Sequence, residues 1–267
     1  MRPALSLRAA LAAALIAGSA PHAVAQTAAP APAAAPASTM SAGQRGEIEG
    51  VIRNYLLTHP EIIKEALIEL QRKEKAEEAA ARARIVEDTN GKLFNSPHHA
   101  VVGNPAGTVT VVEFFDYNCG FCKRALDDLT KLMKADPNLK VVLKDFPVLG
   151  PKSVEAAQVA VAARKQLKAD KFFDFHSKLI MQKGQIGRAE ALAVAKSVGA
   201  DMTKLAADME DPSVREAIAE TMQIGDSLGL TGTPSYVIGK EVVVGAVGYD
   251  ELKQHVDTAA KAAPAKK

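Results

Sequence analysis

The chain has 267 residues, in which 33 Lys and Arg stand against 31 Asp and Glu. Arg2 and Arg8 lie in an N-terminal segment expected to be cleaved, leaving 31 of each sign, a balance that favours no nucleic-acid partner. The only two cysteines argue against a closed structural zinc site, which takes about four ligands.

Residues 1–25 read as a secretory signal peptide. Arg2 and Arg8 are its basic region, Ala9 to Ala17 its apolar run, and Ala23-Val24-Ala25 its small-residue cleavage site before Gln26. The run is too short to span a bilayer, which needs about 20 apolar residues, so the expected product is a soluble exported protein. Residues 26–44 form an Ala/Pro-rich linker with Pro30, Pro32 and Pro36.

Residues 45–90 read as helical. Ile48, Val51, Ile52, Tyr55 and Leu56 recur at helical spacing. A second helix is expected from Thr58-His59-Pro60-Glu61, where Thr58 and Glu61 suit a capping box and Pro60 the first turn. Its apolar face is Ile62, Ile63, Ala66, Leu67 and Leu70, followed by a charged, alanine-rich stem from Gln71 to Arg84. Two readings stay open: a hairpin packed on the main domain, or a surface for self-association.

The main domain spans residues 91–267. Thr108 to Phe115 predicts a central strand, apolar on both faces. Gly120 to Lys134 predicts a helix with Leu126, Leu129, Leu132 and Met133 inward, and Leu139 to Phe146 a second strand, parallel to the first by the crossover rule. An insert over about 151–229 reads as four helices, Val154 to Leu167, Lys171 to Gln182, Arg188 to Val198 and Val214 to Leu228. Strands at Ser235 to Ile238 and Glu241 to Val244 turn at Gly239-Lys240, and a helix from Tyr249 to Lys261 closes the domain.

The chemistry gathers at Cys119-Gly120-Phe121-Cys122, on the strand-to-helix junction. A bridge this tight closes almost no loop, so stability is a poor reason for it. A c-type haem needs histidine after the second cysteine, and Lys123 stands there. A thiol at a helix start meets unpaired N–H groups and the positive dipole end, which favour thiolate. Cys119 is therefore the expected nucleophile and Cys122 the less exposed resolving thiol of a redox disulfide. Glu113, a carboxylate inside the apolar strand, is expected to move protons to and from Cys122, with Lys144 on the neighbouring strand as its charge partner. Thr233-Pro234 precedes a strand, and a cis bond there leaves backbone for an incoming extended peptide. His98-His99 reads as a solvated loop pair, and no cofactor is called for.

Val112 to Arg124, the helical insert and Gly232-Thr233-Pro234 together resemble the DsbA-like branch of the thioredoxin superfamily over roughly residues 100 to 262. The resemblance implies an α/β thioredoxin fold with a helical insertion. It makes Cys119 the nucleophile and Glu113 a buried acid below the pair, and it puts Gly120, Phe121, Thr233 and Pro234 on the substrate side. Ile48 to Leu70, centred on Tyr55-Leu56-Leu57-Thr58-His59-Pro60-Glu61, is similar to the N-terminal region of the suppressor-of-copper-sensitivity C (ScsC) proteins. That similarity implies a periplasmic homotrimer acting as a disulfide isomerase on misfolded secreted proteins, kept reduced by a membrane thiol reductase of the DsbD/ScsB type. Phe121 departs from the tyrosine or histidine common there. A monomeric oxidase is the alternative within the same chemistry. Capture of Cu(I) by Cys119 and Cys122 is the alternative from another class.

Overall fold

The structure, a computed structural model, describes residues 40–88 and 91–262. The expected signal peptide and most of the expected linker lie outside the described residues. The chain divides into two units, one up to Pro60 and one from Glu61.

The first unit holds α1 (Ala42–Thr58), which begins inside the span expected to be linker. Its start is set by a capping box: Ser41 Oγ accepts from Gln44 N at 3.3 Å and Gln44 Oε1 accepts from Ser41 N at 3.0 Å. None of its residues is buried, and Val51 and Leu57 stand 69% and 72% exposed. The Thr58 hydroxyl donates to the carbonyls of Asn54 and Tyr55. It is therefore turned back on α1, where the sequence had it opening the next helix.

The second unit begins with α2 (Glu61–Glu87), whose Ile63, Leu67, Ile68 and Leu70 are exposed while Val86 near its end is buried. Val86 packs with Leu93, Val112, Phe114, Val142 and Phe146, and Glu87 pairs with Lys240 at 2.8 Å. The last turn of α2 thus belongs to the folded domain, and a boundary at residue 90 cuts through that core.

There follow α3 (Lys92–Asn95), β1 (Ala100–Gly103), β2 (Val109–Phe115), α4 (Gly120–Ala135) and β3 (Leu139–Asp145). The insert comprises α5 (Pro151–Ala163), α6 (Ala169–Ile180), α7 (Arg188–Ser197), α8 (Met202–Glu210) and α9 (Pro212–Ser227). β4 (Ser235–Ile238), β5 (Glu241–Val244) and α10 (Tyr249–Ala262) complete the chain. The sheet order is β1-β3-β2-β4-β5, with β2 and β3 parallel, as a crossover through α4 requires, and the other pairings antiparallel.

Three elements escape the sequence reading. β1 and α3 are four residues each, too short to show a period. α8 buries only Leu205, and its start is fixed by Asp201, whose carboxylate accepts from Thr203 N and Lys204 N. The central strand separates two cores. Val111 and Phe115 face the one that holds both cysteines, while Val112 and Phe114 face the one sealed by Val86. Among the described residues no helix is long and apolar enough to cross a membrane.

Candidate active site

The site forms where β2 runs out and α4 begins. The Asp116 carboxylate accepts from Asn118 N at 2.8 Å and Leu149 N at 2.9 Å, and the Asp116 carbonyl accepts from Cys119 N at 3.0 Å. This turn delivers Cys119 as the N-cap of α4, with Sγ accepting from Cys122 N at 3.4 Å. Both cysteines are free thiols, the reduced half of the expected redox pair.

Their environments push the two thiols apart. Cys119 is lowered to about 5, chiefly by a hydrogen bond from the Cys122 thiol and further by the N–H groups of Cys122 and Phe121, against the opposing effect of burial. Cys122, fully buried, is raised far above the usual thiol range by the same bond, then by burial and by the negative charge of Glu113. One sulfur is a ready thiolate at neutral pH and the other keeps its proton.

Thr233 and Pro234 close the other side. Their peptide bond is cis, and the Cys119 thiol reaches the Thr233 carbonyl at 3.1 Å. That bond needs the protonated thiol, so once Cys119 is a thiolate the carbonyl is free to pair with an incoming peptide. Gly120 is open to solvent, and Phe121 is 57% exposed with the Arg124 guanidinium 4.4 Å over its ring.

Glu113 is 2% exposed on the cysteine face of β2, and burial raises its carboxyl to about 8. Lys144 is not its partner. It pairs in register with Phe114, on the opposite face, and its Nζ donates to the Lys92 carbonyl at 2.9 Å. The reason is the alternation of the strand: adjacent parallel strands share faces residue for residue, so Leu143, not Lys144, flanks Glu113. The neighbour that sequence reasoning missed is Tyr236, opposite Glu113 on β4, whose buried hydroxyl lies beside the carboxyl without a well-formed hydrogen bond. Its signal was available two residues after Pro234, on a strand due to pair with β2.

Two histidines also differ from expectation. His98 and His99 are half-buried rather than fully solvated, and burial lowers His99 to about 3. His176, on α6, is fully buried against Phe115 and Tyr117 and is likewise lowered to about 3 by burial. It is a neutral packing group under the site.

Residues 110–257 match the family described as DSBA-like thioredoxin domain. The chain belongs to this family. Residues 44–77 match the copper resistance protein ScsC N-terminal domain. Among solved structures, a thioredoxin-like oxidoreductase from Silicibacter pomeroyi DSS-3 is 44% identical with a TM-score of 0.61, covering 64% of this chain and 98% of that one. Proteus mirabilis ScsC in a transitional conformation is 30% identical with a TM-score of 0.61, covering 84% of this chain and 98% of that one. A curated relative, the Na(+)/H(+) antiporter NhaA 1 of Salinispora arenicola, is 26% identical over 161 residues, 60% of this chain and 24% of that protein. The chain thus spans about a quarter of that relative's length. In this DSBA-like domain the paired thiols, the buried acid and the cis-proline all fall inside the matched segment, and the chemistry of the family is thiol–disulfide exchange.

Proposed function

We propose that the protein is a periplasmic thiol–disulfide isomerase of secreted proteins, assembled as a homotrimer through its N-terminal helices. The observation that carries the exchange chemistry is the split between the thiols, a thiolate at Cys119 in front of a protonated, buried Cys122. Cys119 attacks one sulfur of a substrate disulfide, and the other substrate sulfur leaves as thiolate. That thiolate attacks a different bridge, pairing with one of its sulfurs and freeing the other as a new thiolate. The new thiolate attacks the substrate sulfur of the mixed disulfide, completes the re-pairing and returns Cys119 unchanged. Otherwise Cys122 gives its proton to Glu113 in its ionised form, the fraction of which grows as pH nears 8, and attacks Cys119, forming the Cys119–Cys122 disulfide and releasing a reduced substrate. A membrane thiol reductase of the DsbD/ScsB type then returns two electrons and two protons to the pair.

The substrate side suits unfolded chains. Phe121 between the cysteines, Leu149 on the Asp116 turn, and Met181, one residue before the Gln182 carbonyl that accepts from Lys123 Nζ, all stand exposed. Support for assembly comes from the uncovered apolar side chains of α1 and, separately, of α2, together with the match of residues 44–77. Export rests on the signal peptide expected at residues 1–25. Capture of Cu(I) between the two sulfurs is the weaker reading, because Cys122 is buried and held protonated, whereas the metal takes thiolates.

The test is refolding of scrambled ribonuclease by the reduced full chain beside light scattering, repeated for Ile52→Glu and Leu67→Glu. A trimer with isomerase activity that both substitutions disperse is the expected result. A monomer that only oxidises reduced ribonuclease would make the protein a DsbA-like oxidase instead.

A further inference from the structure

Asn118, immediately before the nucleophile, makes three side-chain bonds far along the chain. Its Nδ2 donates to the Ile186 carbonyl at 2.8 Å and to Ser153 Oγ at 3.0 Å, and its Oδ1 accepts from Ile186 N at 2.7 Å. One side-chain amide therefore pairs both polar groups of a buried residue in the irregular segment between α6 and α7. The same segment is tied to the cysteine helix a second time, by Lys123 Nζ on the Gln182 carbonyl.

The nucleophile itself is held by other groups. Asp116 fixes the turn through Asn118 N, Leu149 N and Cys119 N, and the N–H groups of α4 face Cys119 Sγ. The Asn118 side chain touches neither sulfur in any of its bonds and holds only the insert.

We infer that Asn118 is a positioning residue for substrate selection, clamping the 182–187 segment of the insert beside Cys119 as a wall for extended peptide and leaving the reactivity of the thiol to Asp116 and α4. The inference rests on the reading of Cys119 as the exchanging thiol. A peptide or protein disulfide runs past this wall and gains from its fixed position, because contacts that are already ordered cost no entropy on binding. A small disulfide reaches Cys119 without touching the wall.

The test compares two probes, oxidised glutathione and a disulfide-linked peptide, on the reduced full chain and on Asn118→Ala. The expected result is a rise of about tenfold in KM for the peptide, a change under about twofold for glutathione, and a Cys119 titration that stays near that of the parent. Equal losses on both probes, or a peptide KM that does not move, would overturn the inference. If Asn118→Ala does not fold, Asn118→Asp serves, since it keeps the acceptor for Ile186 N and loses both donors; the same split between probes is required of it. Ser153→Ala, which leaves both Ile186 bonds, is expected to change neither probe by more than about twofold. A parent chain inert toward both probes would refute the reading of Cys119 itself, a failure distinct from that of the clamp.

Discussion

Replacing Cys122 by alanine removes the largest single cause that holds Cys119 as a thiolate. In the parent, Cys119 falls from the ordinary 9.0 to about 5, a stabilisation of thiolate over thiol on the order of 5 kcal/mol. A hydrogen bond to a charged group is worth about 1.5–3 kcal/mol, so losing the Cys122 thiol should raise the Cys119 titration by one to two pH units, to between about 6 and 7. The direction follows from charge, since a donor to the thiolate is lost and the neutral form gains. Ultraviolet absorbance of the thiolate and the pH dependence of alkylation both read this value.

Stability follows by linkage. A folded value below the unfolded one adds stability above the unfolded pKa, and that stability is lost as pH falls through about 5. The reduced parent should therefore gain on the order of 3 kcal/mol between pH 5 and 7 through this group, and the alanine variant about half of that or less. A Cys119 that still titrates near 5 in the variant would refute the reasoning, because the helix N–H groups alone would then suffice.

Three further substitutions probe the other assignments. Glu113→Gln should slow release of the mixed disulfide and also stabilise the fold: a carboxyl raised from 4.5 to about 8 by burial costs the parent stability progressively as pH climbs through that window. Urea unfolding should show the variant ahead by on the order of 3 kcal/mol at pH 7, with the lead shrinking towards pH 4.5; a lead that does not vary with pH would count against the buried-acid assignment. Lys144→Met should alter exchange rates by less than about twofold, since its ammonium lies on the opposite face with the Lys92 carbonyl; a tenfold loss would return Lys144 to the site. Gly225→Ala should destabilise the fold by about 1–3 kcal/mol, because a Cβ there would meet the Phe146 ring at 2.5 Å, and unchanged thermal unfolding would contradict that packing.

The site was legible in sequence wherever one residue carries its own chemistry. Cys119, Cys122, Glu113 and Pro234 announce themselves as a thiol pair, an acid in an apolar strand and a proline before a strand. Lys144 was misplaced because apolar residues line both faces of a buried parallel strand, so composition gives no parity, and only the register shows which face a residue takes. Tyr236 and Asn118 escape for another reason: their partners lie 35 residues or more away and no local pattern encodes them. The helices of the insert were largely visible from their period, except α8, which buries a single leucine. That the last turn of α2 joins the core is hidden by the charged, alanine-rich stretch from Gln71 to Arg84, which runs straight up to Val86 without marking where burial begins.

The central claim, that Cys119 is the attacking thiol, is tested most directly by trapping. Reduced Cys122→Ala chain mixed with a disulfide-linked peptide should accumulate one mixed disulfide, located at Cys119 by mass spectrometry, while Cys119→Ala should capture none. Capture by Cys122 in the Cys119→Ala chain at a comparable rate, or no adduct on Cys119, would contradict the account.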